Sequence, residues 1–294
     1  MAMGRRKTER QGQFWIPTDQ VVKGPGHPFY RKLNEVFEAH GFDRYVEGLC
    51  EKFYHEELGR PGTPPGVYFR MLLIGFFEGI DSERGIDWRC ADSLTLREFL
   101  GYPLTKPTPD HSTLCTTRQR IDLETHREVF TWVLARVAES GLLKGQTLGI
   151  DATTLEANAA MRSIVRRDTG ESYEQFLTGL AEASGIETPT REDLAKIDKS
   201  RKNKASNKDW CSPSDPDAKI TKMKDGRTHL AHKAEHAVDL ETGAIVDITL
   251  QPADRGDPSS LEHTLSDAVE TLLDVREHGP EVSLPREAVL DKGY

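Results

Sequence analysis

The sequence predicts an α+β chain in which an all-helical N-terminal half precedes a mixed strand and helix half. Three observations predict it. From Phe29 to Glu139 apolar residues recur at helical spacing, broken by glycine and proline. At Gln146–Glu156 the pattern changes to a short apolar strand that delivers one carboxylate, Asp151, followed by small hydroxyl residues. From His229 to Leu250 two strand-like runs flank Glu241-Thr242-Gly243, the turn of a hairpin.

Residues 1–28 read as a flexible arm, rich in glycine, proline and charge, with one apolar patch at Phe14-Trp15-Ile16. A helical domain follows over 29–145. Its first helix, Phe29 to His40, places Phe29, Leu33, Val36 and Phe37 on one face and stops at Gly41. A second runs from Phe42 into Tyr54. The proline-rich turn 59–65 pre-organises Val67 to Phe77, which is apolar almost all round and is expected to be the central core helix. Ser82 offers an N-cap for the next helix, and Leu94 to Gly101 adds a short one. Asp110 or Ser112 caps a polar helix carrying Arg118 and Arg120, an arrangement compatible with a helix-turn-helix reader. A longer helix to Glu139 buries Phe130, Val133, Leu134 and Val137, and the segment from Gly141 to Gly145 breaks the two domains apart.

The second domain, 146–294, begins with the Asp151 strand. An insertion of about 160–226 interrupts it and is expected to be partly disordered. Within it Glu156 to Arg166 reads as helical, Tyr173 to Ala183 as a helix, and Thr190 with Asp193 as a capping sequence. Ser200 to Asp217 reads as an exposed loop, apolar only at Trp210. Strands at His229–Val238 and Ala244–Leu250 follow the insertion. Ser259 and Glu262 then suggest a capping box for a helix with Leu261, Leu265, Ala268, Val269 and Leu272 on one face. Glu287 to Leu290 is a last short strand, presenting Asp291.

Composition narrows the function. The chain has 294 residues and a formal charge of -9, so it carries no basic coat overall, yet basic clusters stand at Arg5-Arg6-Lys7, Arg118-Gln119-Arg120, Arg166-Arg167 and Lys199 to Lys208. No apolar run approaches the ~20 residues of a membrane span, and no apolar region follows the basic N-terminus as in a secretory signal. The four cysteines lie too far apart for a zinc knuckle or a disulfide scaffold, so reduced cytosolic thiols are expected. His229, His232 and His236 read as strand and turn residues rather than a zinc set. Two strand-end carboxylates, Asp151 and Asp291, can share a divalent metal if their strands are neighbours. Magnesium takes oxygen ligands, and two such ions assist phosphoryl transfer.

The residues Pro64 to Arg84, Asp92 to Gly101 and Asp110 to Leu114 resemble the N-terminal domain of bacterial insertion-sequence transposases of the IS5/IS1182 type. Gly149 to Ala160, Asp215 to Lys219, Lys233 to Val246 and Asp291-Lys292-Gly293-Tyr294 resemble their catalytic domain, so the resemblance spans residues 29–294. It implies an RNase-H-like fold and a DDE triad. Asp151 matches its first aspartate and Asp291 its second, both as catalytic and metal-binding residues, with Mg2+ or Mn2+ as cofactor. The third member, a glutamate on a later helix, lies past the end of this sequence, so the chain is expected to be catalytically incomplete alone. The implied partner is double-stranded DNA, both terminal inverted repeats and target, bound by a homo-oligomer in the bacterial cytoplasm. Arg118, Arg120 and Lys233 are the expected DNA contacts. Two other readings stay open: a non-catalytic DNA-binding remnant that regulates transposition, and a metal-dependent nuclease.

Overall fold

The computed structural model describes Trp15, Pro17 and residues 26–55, 62–201, 205–256 and 259–290. It divides into two compact units, Met1–Val129 and Phe130–Tyr294, and the division falls within one long helix.

The first unit is all helical. Its helices are α1 (Pro28–Ala39), α2 (Phe42–Cys50), α3 (Pro65–Glu78), α4 (Glu83–Asp92), α5 (Leu94–Phe99), α6 (His111–Arg120) and the start of α7 (Leu123–Glu139). Local chemistry sets the boundaries. Gly41 and Gly79 take left-handed φ of 63° and 64° between helices, where a side chain is disfavoured. Ser82 caps α4 by accepting from Gly85 N, and Asp110 caps α6 by accepting from Thr113 N at 2.8 Å. Helix α3 is central as expected, with Tyr68, Met71 and Ile74 fully buried. Its C-terminal end is not apolar-buried, however: Phe76 and Phe77 are exposed.

Among the described residues one charge, Arg70, lies inside this helical core. Arg70 is 6% exposed, and its guanidinium lies 5.0 Å from the Phe37 ring, 5.6 Å from Phe42 and 5.8 Å from Phe99. It donates two bonds to the Asp43 carboxylate, at 2.5 and 2.9 Å, and one to Asn34. The paired fork fixes α1, α2 and α3 together, because a buried guanidinium left without its carboxylate would be costly. Gly66 belongs to the same arrangement: a Cβ there would collide with Asp43 Oδ1.

The second unit is built on a five-stranded sheet. Its strands are β1 (Thr147–Glu156), β4 (Lys219–Lys222), β5 (Thr228–Asp239), β6 (Ile245–Pro252) and β7 (Glu287–Leu290). Strand β5 is the backbone of the sheet. It pairs antiparallel with β1 along one edge, from Leu148↔Asp239 to Glu156↔Ala231. Along its other edge it pairs with β6 and then, further on, with β4. Strand β7 lies parallel to β1, from Thr147↔Glu287 to Ile150↔Leu290. Helix α10 (Leu261–His278) covers one face, where Ala268, Leu272 and Val275 meet Leu148, Ile150, Ala237 and Val246, together with Leu134, Ala135 and Ala138 of α7. Among the described residues, no helix is long and apolar enough to cross a membrane.

Between β1 and β5 the insertion departs from expectation. Glu156 to Arg166 is not a helix. The strand continues to Glu156 because its partner continues too, and Ala157 N still donates to Leu230 O. A turn of 3₁₀ helix at Met161–Ser163 leads into the two-residue strand β2 (Val165–Arg166). The helices α8 (Tyr173–Ala183) and α9 (Arg191–Ser200) form as predicted, each with a complete capping box, Ser172 with Gln175 and Thr190 with Asp193. The described part of the segment expected as an exposed loop is ordered around Trp210, 2% exposed on β3 (Trp210–Cys211), which pairs with β2. Trp210 packs with Ile164, Ala218 and Leu230, and its ring meets Tyr173 and Phe176 edge-on at 4.9 and 5.4 Å. A core gathered from five separated places cannot be read from the local run of polar residues around Trp210.

Candidate active site

Strand β1 is delivered to the sheet by a buried carboxylate. Asp239, fully buried at the end of β5, accepts from Lys144 N at 2.6 Å, Gly145 N at 3.1 Å and Glu241 N at 3.0 Å. Burial pushes its pKa up, but these backbone N–H donors outweigh it and hold the carboxyl below its ordinary value. The chain turns at Gly145, φ 72°, where a Cβ would collide with the carbonyl oxygen of Ser283. The acid and the glycine together fix where β1 begins and therefore where Asp151 stands.

Asp151 is exposed, and its Oδ1 accepts from Ala152 N at 2.9 Å. Side chains alternate along a strand, so Asp151 points away from the α10 face that takes Leu148 and Ile150. Its cross-strand partner on that open face is His236, half-buried. Ile248 is paired with His236 in turn and is 42% exposed, so the open face joins acid, imidazole and apolar surface. On the other side of β1, Ile150 pairs with Leu290. Asp291 is the next residue in sequence and lies outside the described residues.

Lys233 is 5% exposed and lies on the α10 face, where its Nζ meets Glu235 Oε1 at 2.9 Å, Ser260 Oγ at 3.0 Å and the carbonyl of Arg255 at 3.3 Å. It is therefore not presented to an external phosphate, contrary to the DNA contact expected of it. Glu235, fully buried, also accepts from the hydroxyls of Ser260 and Thr264, the latter at 2.5 Å, and Thr264 bonds Thr249 at 2.7 Å. Burial pushes the Glu235 carboxyl up, yet Ser260, Thr264 and Lys233 pull it below its usual value. The capping box expected of Ser259 and Glu262 at α10 is absent, because the helix starts one residue later and the Ser259 hydroxyl donates to Gly256 O at 2.7 Å. Ser260 is the N-cap residue, but its hydroxyl turns to Glu235 rather than to the helix. Asp247 likewise faces α10 and is 6% exposed, so it does not border Asp151.

In the helical unit, Arg118 and Arg120 are both exposed. Arg118 pairs with Glu83 at 3.0 Å across α6 and α4, and Arg120 lies 5.0 Å from the ring of Tyr54. The histidines serve separate carboxylates. His229 bonds Glu156 at 2.7 Å and Asp225 at 2.9 Å, which raises its pKa, the Asp225 bond contributing most. His232 bonds Asp215 at 2.9 Å. Among the described residues no three His, Cys, Asp or Glu side chains converge as a metal-ligand set. Asp151 on the open face is a carboxylate, the oxygen chemistry magnesium takes, beside the His236 imidazole.

Glu235, Asp239, Ser260 and Thr264 were not singled out from sequence. Strand β5 carries polar residues on both faces, Lys233 and Glu235 on one, His232 and His236 on the other. Alternation sorts them into two sets but does not say which set is buried.

Residues 17–120 match the family described as Transposase domain (DUF772). The helical unit thus carries a transposase-family domain. No curated protein and no solved structure matches the chain.

Proposed function

We propose that this chain is an insertion-sequence DNA transposase, with an RNase-H-like sheet that cleaves DNA at terminal inverted repeats and transfers its strands. The observation that carries this reading is the β1–β7 pair. A transposase-type domain precedes two adjacent parallel strands whose last described pair, Ile150 and Leu290, is followed in sequence by Asp151 and Asp291. These two carboxylates would hold Mg2+ or Mn2+, which would stabilise charge at the phosphate and activate the attacking hydroxyl. Asp239 and Gly145 set the position of β1, and the hydroxyl-bound Glu235 ties β5 to α10 beneath it. In the helical unit Arg118 and Arg120 remain the candidate phosphate contacts. Lys233 acts within the fold. A homo-oligomer would bring two element ends together.

The test is incubation with labelled terminal-repeat duplex and Mg2+, followed by separation of cleaved and joined strands. In a protein that carries the third carboxylate of the triad, cleavage at the repeat end that falls to background in Asp151→Asn is the expected result. A sequence-specific mobility shift without cleavage would replace this reading with that of a non-catalytic DNA-binding regulator. Cleavage of unrelated duplex, lost in Asp151→Asn, would replace it with a nuclease.

A further inference from the structure

Two of the basic clusters in the sequence are joined by the fold. The segment from Lys199 to Arg227 holds nine Lys and Arg against four Asp, in a chain whose net charge is -9. Its described part is folded onto the sheet. Strands β2 and β3 join Arg166 to Trp210, Arg167 N donates to Asp209 O, and Arg167 Nε donates to Asn207 O at 3.1 Å. The Asn207 amide then clamps β4 by both its groups: Oδ1 accepts from Ile220 N at 2.7 Å and Nδ2 donates to Ile220 O at 3.0 Å. Arg167, Lys208 and Lys222 are thereby carried on one connected framework, and all three are exposed. Acids stand close by as well: Asp168, which accepts from Arg166 at 2.7 and 2.8 Å, Asp209, and Asp254, which accepts from Asn207 Nδ2 at 3.1 Å.

The side of the sheet matters as much as the charge. Leu230 belongs to the Trp210 core, and Leu230 and His236 are separated by an even number of positions on the continuous strand β5. The Trp210 core is therefore seated on the face that carries Asp151 and His236, beyond the far end of β1. Lys222, two positions from Ile220, shares that face by the same alternation.

We infer that the part of the insertion joined through Asn207 is a duplex-DNA backbone-binding surface, with Arg167, Lys208 and Lys222 contacting phosphates of the DNA whose reacting end lies at Asp151. This rests on the transposase reading and replaces the role expected of Lys233. Phosphate contacts of this kind hold and orient the duplex without reading sequence.

The experiment measures affinity of the full chain for a fluorescent blunt duplex by anisotropy, in EDTA, between about 50 and 200 mM salt. Each lost phosphate contact lowers the slope of log affinity against log salt by about 0.9. Arg167→Gln/Lys208→Gln/Lys222→Gln should lower it by about 2 to 3 and weaken binding at least ~10-fold at the low-salt end. Arg191→Gln/Lys196→Gln, on exposed positions of α9, serves as the charge control and should leave the slope unchanged. Far-ultraviolet circular dichroism verifies that each variant keeps its fold, and single substitutions replace the triple one if it does not. An unchanged slope in the folded variants overturns this inference while leaving cleavage at Asp151 standing. An equal fall in the control overturns it as well, since general charge would then account for the effect. A wild-type chain that binds no duplex overturns both this inference and the transposase reading.

Discussion

Among the described residues each unit buries one cation, and the two are accommodated in opposite ways. Arg70 lies flat among three aromatic rings and reaches a carboxylate, Asp43, whose side chain is 51% exposed. Lys233 meets Glu235, which is entirely buried and saturated by hydroxyls from α10. In the helical unit the counter-charge keeps contact with water, so much of its solvation survives. In the sheet unit both charges have left water, and only the completeness of the hydrogen bonding makes that tolerable. The difference teaches where each unit is brittle: the first at a planar cation held by rings, the second at the acid.

The largest expected effect follows from the second case. Glu235→Ala strands a buried ammonium and should destabilise the sheet unit by about 3–5 kcal/mol, read from urea unfolding followed by tryptophan fluorescence. The double variant Lys233→Met/Glu235→Leu should recover most of that loss, because it removes the uncompensated charge; no recovery would mean that the hydroxyl network, not the ion pair, carries the stability. Asp43→Ala should cost less, about 1.5–3 kcal/mol, since solvent can approach the freed side of Arg70. A loss equal to that of Glu235→Ala would erase the contrast. The smallest effect is expected at His229, whose charge pairs are near solvent. Its folded pKa is raised, so its contribution is fully present below the unfolded value of about 6.5 and disappears as pH rises through the folded value. Asp225, with its pKa lowered by the N–H of Arg227 and by His229, contributes above its unfolded value and is lost as pH falls. The stability difference between wild type and His229→Gln should therefore peak between the ordinary carboxylate and imidazole ranges. A difference that grows with rising pH would refute the assignment.

What could be read from sequence was whatever local chemistry decides. Asp110, Ser82 and the Thr190–Asp193 box cap their helices because a side chain and a backbone N–H three residues on are enough. The Asp151 strand and the 229–250 hairpin are legible from composition and turn residues. Long-range choices were not. Ser260 forgoes capping because Glu235, 25 residues earlier, takes its hydroxyl. Trp210 appeared stranded in a polar run because Ile164, Phe176 and Leu230, which cover it, lie far away in the chain. Lys233 sits on a strand that is polar on both sides, and nothing in the local run marks which side is dry.

The unbroken run of β5 has a consequence of its own. One strand spans the Trp210 core at Leu230, the acid clamp at Asp239 and the position opposite Asp151 at His236. It therefore works as a ruler with a parity. Deleting a single residue between Leu230 and His236 would turn one end of the ruler over. Either the insertion would be thrown to the α10 side, or Lys233 and Glu235 would be driven into solvent while two imidazoles were forced beneath the helix. Length changes in this strand are thus tolerable only in twos.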